Sequence, residues 1–184
     1  MKKIILITIT LLFTYNCAIT AGTKKMIVND YNSQNRLNEP IHIMESTGGS
    51  ITIPFWVSKI SDENFTIAIE ESILNSKLFA EIDEDSDYKL KVEIIDLDHP
   101  WFGGDLTVTL FVNYTLFYKG DIIFKKSITS EGTATISEML LGVYRLRRAN
   151  QYAAKKNIQI LIQELETELS KKSNNLKDKI SLNY

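Results

Sequence analysis

The fold is decided by residues 106–118, which read LTVTLFVNYTLFY. Apolar side chains occupy every second position of this stretch, and threonine or asparagine fills most of the positions between them. This period-two alternation is the pattern of a strand that buries one face. The tripeptide Lys119-Gly120-Asp121 follows at once and predicts a tight turn, because glycine accepts a positive φ. The chain then returns as a second strand, from Ile122 to near Ala134.

Two more strands are predicted upstream of this hairpin. Residues 88–93 alternate between apolar Tyr88, Leu90 and Val92 and charged neighbours, which predicts a half-buried strand. A short strand opens at Pro40, where Ile41 and Ile43 would share one face.

Two helices are predicted from apolar residues at helical spacing. The first has Ser61 as its N-cap and runs to about Phe79; its buried stripe is Phe65, Ala68, Ile69, Ile73 and Leu74. The second starts at Ser137 or Gly142 and runs to Ser170. Its stripe is Leu146, Ala149, Ala153, Ile158, Leu161, Ile162, Leu165 and Leu169. The small Ala149 and Ala153 would let this helix approach a sheet closely.

The element order is therefore β-α-β-β-β-α. It predicts an α+β two-layer sandwich in which two helices pack on one face of a mostly antiparallel sheet. We expect this domain to cover residues 40–171. The polar, aperiodic residues 17–39 predict a flexible tether, and residues 172–184 predict a loose C-terminal tail.

The composition of the chain limits the classes of function that the protein can have. The chain has 184 residues, 44% of them hydrophobic, and a net charge of -2. This near-neutral balance gives no basic field for nucleic acid. The single cysteine, Cys17, cannot form an intrachain disulfide. After Phe13 the sequence has no apolar run of the roughly 20 residues that span a bilayer.

The N-terminus has the layout of a secretory signal peptide. Lys2 and Lys3 precede an apolar run from Ile4 to Phe13, and a short polar segment leads to Cys17. The run would span only about 15 Å of a roughly 30 Å hydrocarbon core, which disfavours an uncleaved anchor. We therefore expect residues 1–16 to be removed.

The segment Phe13-Thr14-Tyr15-Asn16-Cys17 resembles the bacterial lipobox, in which the cysteine becomes the first mature residue and carries the lipid. Thr14 and Asn16 stand where that pattern usually has leucine and a small residue. The resemblance implies lipid attachment at Cys17, palmitate included. Ordinary cleavage after Ala21 is the alternative, and it would discard Cys17 and release a secreted protein.

Several segments together resemble the small envelope lipoproteins of Gram-negative bacteria. They are the helix end Leu78-Phe79 with the strand start 87–90, the hairpin segments 112–116 and 131–134, and the last-helix segment 145–150. These lipoproteins include the lipopolysaccharide-assembly lipoprotein, auxiliary lipoproteins of transport systems and the N-terminal domain of the Tol-Pal propeller protein. The resemblance implies a non-enzymatic accessory role at the outer membrane, on its periplasmic or surface side, and it assigns no binding residue.

No motif in the sequence predicts catalysis, a cofactor or a metal. There is no Gly-x-Ser-x-Gly element and no phosphate-binding loop. His99 follows Asp96 and Asp98, but a catalytic zinc site usually needs three protein ligands. The acidic run 83–87 lacks the glycine and glutamate that an EF-hand requires. We therefore expect that the protein is not an enzyme.

The expected partners are the membrane, through the lipid, and another envelope protein; a surface-exposed, adhesin-like ligand binder is the alternative. Loop aromatics and basic helix residues are the candidate contacts, because aromatics anchor partners and arginines meet lipid phosphates. These candidates are Phe55, Trp56, Trp101, Phe102, Arg145 and Arg148.

Overall fold

The computed structural model describes residues 21–49, 59–100 and 103–181, with side chains described as far as Lys172. After a 3₁₀ turn at Thr23–Lys25, the elements follow in the predicted order. They are β1 His42–Ile43, α1 Asp62–Ser76, β2 Tyr88–Asp98, β3 Leu106–Tyr118, β4 Asp121–Ala134 and α2 Gly142–Ser181. The α+β prediction is confirmed.

The strands form one sheet in the order β1-β2-β3-β4. β1 pairs parallel with β2, and the other two pairings are antiparallel, with Leu90 opposite Leu116 and Val112 opposite Ile128. The turn between β3 and β4 consists of Lys119 and Gly120, whose φ angles are 51° and 90°. Two consecutive positive φ values are the geometry of a type I′ hairpin turn, at the place where the sequence predicted a tight turn.

One face of the sheet is buried beneath the helices. The alternating residues of β3 from Leu106 to Leu116 are all buried, which confirms the strand pattern. α2 lies closest to β4, because Gly132 has no side chain and the helix backbone at Ala149 and Ala153 fills that space. The predicted α2 stripe is buried as far as Leu165, with Leu169 partly buried.

A buried polar network fixes α2 to the sheet. The Tyr114 hydroxyl donates to Asn157 Oδ1 at 2.7 Å. The Asn157 amide donates to the Ile128 carbonyl at 3.1 Å and to Ser130 Oγ at 2.9 Å, and Ser130 Oγ donates to the Ala153 carbonyl at 2.9 Å. Each of these side chains therefore has a partner, which is what a buried polar group requires.

α1 begins as predicted but ends earlier. Ser61 caps it, accepting a hydrogen bond from the Asn64 N–H at 3.4 Å. The helix stops at Ser76 rather than near Phe79, because Lys77 adopts a left-handed φ of 59°. Phe79 then turns into the core. Leu74, predicted to be buried, is 40% exposed, because it points away from the sheet at the helix end.

α2 continues past its predicted end. The sequence placed the end near Ser170 and a loose tail at 172–184, yet the backbone is helical to Ser181. The polar composition that suggested a tail is also compatible with a solvated helix. Residues 182–184 lie outside the described part of the chain.

The segment 21–39, predicted as part of a flexible tether, instead packs against both helices. Ala21, Met26 and Val28 are fully buried. The Val28 N–H donates to Ser72 Oγ on α1 at 2.9 Å. The segment looked like a tether because its contacts lie far away in sequence and leave no local period. The folded domain therefore starts by Ala21, not at residue 40.

Glu166 on α2 fastens the same segment at its other end. Its carboxylate accepts hydrogen bonds from the Tyr31 hydroxyl, from the Gln34 N–H at 2.5 Å and from the Asn35 N–H at 2.8 Å. Burial works to raise the pKa of Glu166, but these donors outweigh it and the pKa is lowered. Burial and the Glu166 carboxylate raise the pKa of Tyr31 to about 12, so its hydroxyl remains a donor at neutral pH.

We expect Glu166→Gln to lower the free energy of unfolding by about 2 kcal/mol at pH 7, because amide oxygen is a weaker acceptor than carboxylate for these donors. A carboxyl with a lowered folded pKa stabilises above its unfolded pKa, and that contribution is lost as the pH falls through the folded value. The difference between the two proteins should therefore shrink in acid. Urea denaturation from pH 7 to pH 3 measures it, with Glu168→Gln as control because Glu168 forms only an exposed ion pair with Lys171. A difference that stays constant with pH would contradict this role.

Candidate interaction surface

Most of the predicted contact residues fall outside the described part of the chain. Cys17, Phe55, Trp56, Trp101 and Phe102 belong to this group. Arg145 and Arg148 are described, and both lie near the start of α2. The structure therefore locates the basic candidates and leaves the aromatic ones as predictions.

The start of α2 lies beside the point where the described chain begins. The Ala21 N–H donates to the Lys59 carbonyl at 3.3 Å, and the Ala21 carbonyl accepts from the Asn64 amide at 3.4 Å. A Cβ on Gly22 would lie 3.0 Å from the Arg147 guanidinium. We call this region the exit end, comprising residues 21–25, 59–64, 95–99, 103–105 and 135–148.

A fixed loop, residues 135–141, crosses the exit end between β4 and α2. Glu138 accepts from the Thr135 N–H at 2.8 Å and from the Tyr152 hydroxyl at 2.9 Å. The Thr135 N–H, followed by the Tyr152 hydroxyl, lowers the pKa of Glu138. Asp105 accepts from the Ile136 N–H at 3.2 Å. These bonds hold the β4 side of the loop.

Arg145 holds the tip of this loop. Its side chain is buried, and its Nη1 donates to the Met139 and Leu140 carbonyls at 2.9 Å each. Its Nη2 donates to the Gly103 carbonyl at 3.3 Å. The sequence proposed this guanidinium as a lipid or partner contact. In the structure its Nη atoms donate hydrogen bonds to backbone carbonyls. Arg145 therefore lies beneath the surface and fixes the backbone of the loop above it.

The loop tip that Arg145 holds is apolar and exposed. Leu140 is 85% exposed and Leu141 is 64% exposed. Ile136 and Tyr144, which precede and follow them in the chain, are exposed as well. Exposed apolar side chains gathered in one place mark contact sites more often than single ones do.

Sequence reasoning missed Leu140 and Leu141. They lie between the end of β4 and the first residue of the α2 stripe, where neither period applies. The available signal was the pair of adjacent leucines immediately before Gly142, between the two alternative starts predicted for the last helix. That signal is weak, because only the exposure of the two side chains in the structure shows that the pair is turned outward.

The charges of the exit end are mixed. Arg148 lies over the Tyr152 ring, 5.6 Å from its centroid, and is half-buried. The other cations are Lys24, Lys25, Lys59 and Arg147. The anions are Asp62, Glu63, Asp96, Asp98, Asp105 and Glu138. Neither sign dominates, so the exposed leucines are the distinctive feature of this end.

The described part of the surface has two further concave regions. An open groove of about 580 Å³ at the hairpin-turn end is lined by residues including Met44, Phe117 and Lys119. Lys119 there pairs with Asp87 at 3.7 Å, so its charge is already matched. A smaller cleft of about 160 Å³ at the exit end joins Lys59, Ile95 and His99.

The described residues offer neither a metal site nor a membrane span. Within residues 21–49, 59–100 and 103–181, no three histidine, cysteine or acidic side chains are grouped closely enough to hold a metal ion. Over the same ranges, no helix has the length and apolar content to cross a membrane.

Comparison with known proteins gives a likeness of fold. A crystal structure of a Xanthomonas campestris protein of family DUF330 superposes with a TM-score of 0.63 at 11% identity, covering 80% of this chain and 95% of that one. A Caulobacter crescentus protein, provisionally described as a lipoprotein, gives a TM-score of 0.50 at 12% identity, covering 72% of this chain and 91% of that one.

The chain shares their fold. At these identities the likeness extends no further than the arrangement of strands and helices. No protein-family profile matches the sequence, and no curated protein matches it. Function must therefore be argued from the residues of this chain.

Proposed function

We propose that this protein is a bacterial cell-envelope lipoprotein, anchored through a lipid on Cys17, whose α+β domain is a non-enzymatic binding or assembly module at the outer membrane. The proposal starts from the signal-like segment 1–16 and the cysteine that follows it. The fold is also that of the Caulobacter crescentus protein provisionally described as a lipoprotein.

The packing of Ala21 is the observation that carries the proposal. Ala21 is fully buried and both of its backbone groups are hydrogen-bonded within the domain. Cleavage after Ala21 would remove this residue from the core and leave a charged amine at Gly22, beside the Arg147 guanidinium. Cleavage before Cys17 keeps Ala21 in place. The folded domain is thus more compatible with the lipoprotein alternative.

The non-enzymatic part rests on the sequence, in which no nucleophile, acid–base pair or phosphate loop stands in a recognisable arrangement. What the exit end does offer is an exposed apolar tip supported by buried hydrogen bonds, and such a surface suits binding. We place the partner in the envelope, either the membrane or another envelope protein.

Replacing Cys17 tests the anchor. Cells fed an alkyne-tagged palmitate should label the wild-type chain, and Cys17→Ala should lose essentially all label because the thiol is the group that bonds to the lipid. Asn16→Gly, which supplies the small residue usual before a lipobox cysteine, should retain the label. Label persisting in Cys17→Ala, or a mature N-terminus at Gly22, would overturn the proposal.

The assembly role has its own test. The tagged wild-type chain is isolated from detergent-solubilised envelopes, with Cys17→Ala as the unanchored control. We expect a distinct envelope protein to copurify with the wild type in stoichiometric amount. Recovery of the chain alone would count against an assembly role while leaving the anchor intact.

A further inference from the structure

The described residues nearest to Cys17 in sequence, Ala21 and Gly22, lie at the end of the molecule that carries the exposed leucines. Only three residues separate Cys17 from Ala21, so these two residues cannot be more than about 14 Å apart even when the chain is fully extended. Gly22 lies against Arg147, and Leu141 precedes Arg147 by six residues, about 9 Å of helical rise. A lipid on Cys17 would therefore hold the Leu140–Leu141 tip close to the bilayer surface.

We propose that the exit end docks on the lipid surface, with the tip formed by Leu140 and Leu141 inserted among the headgroups and upper acyl chains. The inference rests on the proposed lipid anchor and adds a second contact with the membrane, made by the protein itself. The domain then stands in a defined orientation on the membrane, with the β3–β4 turn pointing away.

The tip is built for insertion by its hydrogen bonding. Arg145 satisfies the Met139 and Leu140 carbonyls from the protein side. Backbone carbonyls that enter a lipid environment need such internal partners, because the bilayer supplies none. The leucine side chains are exposed while their own carbonyl oxygens are occupied, that of Leu140 by Arg145 and that of Leu141 by the Tyr144 and Arg145 N–H groups. Insertion therefore exposes few unpaired carbonyls to lipid.

The driving force is apolar rather than electrostatic. The exit end carries both cations and anions. Leu140 and Leu141, by contrast, are the most exposed large apolar residues of the described chain. Docking should consequently depend little on anionic lipid or on salt. This separates the inference from a basic patch that binds lipid phosphates.

The lone cysteine makes a depth measurement possible. Once Cys17 carries its lipid thioether, a cysteine introduced elsewhere is the only free thiol. An environment-sensitive fluorophore on Leu140→Cys, in the full lipidated chain reconstituted into phosphatidylcholine vesicles, should shift to the blue and be quenched by shallow spin-labelled lipids. The matched control is Ile122→Cys, which is 58% exposed but lies beside the hairpin turn, and its label should stay in water.

A second variant tests the leucines themselves. With the fluorophore on Ile136→Cys, the change Leu140→Ser with Leu141→Ser should reduce the inserted population by about tenfold or more, since two apolar side chains are lost. Adding phosphatidylglycerol to the vesicles should leave the signal nearly unchanged. A signal that requires phosphatidylglycerol would overturn the apolar basis of docking.

Mass spectrometry of the same preparation separates the two claims. A lipidated chain whose residue-140 label remains in water overturns the docking inference and leaves the anchor standing; a protein partner would then be the occupant of the tip. A preparation without lipid on Cys17 overturns the proposed function itself. Lipidation together with quenching at residue 140 and none at residue 122 supports both.

Discussion

Replacing Gly132 with alanine should lower the free energy of unfolding by about 4 kcal/mol, a large share of the 5–15 kcal/mol that holds a typical domain folded. The added Cβ would lie 2.2 Å from the Ala153 nitrogen and 2.3 Å from the Ala149 oxygen. Both atoms belong to the helix backbone, which cannot turn aside as a side chain can. α2 must therefore move away from β4 as a unit.

Displacing the helix has a second cost. The Ser130 hydroxyl reaches the Ala153 carbonyl at 2.9 Å, and the Asn157 amide reaches the Ile128 carbonyl at 3.1 Å. A shift of about an ångström stretches both beyond hydrogen-bonding distance and leaves buried polar groups unpaired, at roughly 1–3 kcal/mol for each.

Urea denaturation in a Cys17→Ala background, which avoids the lipid, measures the effect of Gly132→Ala. Gly104→Ala is the matched control, because a Cβ there meets nothing within 4 Å and its φ lies outside the left-handed region. We expect the control to remain within about 0.5 kcal/mol of the parent. Equal stability of the two variants would contradict the close approach of α2 to β4.

Replacing Asn157 with leucine should cost about 3 kcal/mol, because it leaves the buried Tyr114 hydroxyl without its acceptor. Burial also raises the pKa of Tyr114 well above its ordinary value, so its hydroxyl stays protonated and still needs an acceptor. The Ser130 hydroxyl loses its Asn157 donor but keeps its bond to Ala153. The unpaired tyrosine is thus the main penalty.

A double-mutant cycle isolates that penalty. Tyr114→Phe removes the orphaned hydroxyl, so adding it to Asn157→Leu should restore about 1–2 kcal/mol relative to the additive expectation. Gln163→Leu, on an exposed position of the same helix, should change stability by less than about 0.5 kcal/mol. Strict additivity of the two core substitutions would show that the hydrogen bond contributes nothing.

The alternation in residues 106–118 correctly predicted a strand with one buried face, for a physical reason. A strand that buries one face must alternate, so its sequence records the burial directly. The same holds for α2, where Ala149 and Ala153 anticipated a close approach to the sheet. The approach itself also needed Gly132, whose importance is invisible locally because it depends on which helix passes over it.

Candidate-site residues were harder to predict than the fold. Arg145 looked like a surface cation because its helical neighbours are basic, but its guanidinium is hydrogen-bonded to carbonyls of the loop before it. The exposed pair Leu140 and Leu141 belonged to neither predicted stripe, so the sequence assigned it no role. Whether an isolated apolar or charged side chain faces inward is settled by its three-dimensional neighbours, not by its type.

The sequence by itself determined the element order, the sheet-and-helix class and the signal-like N-terminus with its single cysteine. Each of these is recorded in a short window, as a period of side chains or as one run of composition. Only the tertiary structure decided that residues 21–39 belong to the domain. Tyr31 meets Glu166 across 135 residues of sequence, and such a contact leaves no periodic trace in either segment. The same long-range packing brings Gly22 against the Arg147 side chain in the first turns of α2, and so places Ala21, the described residue nearest to Cys17 in sequence, at the end of the molecule that carries the exposed leucines.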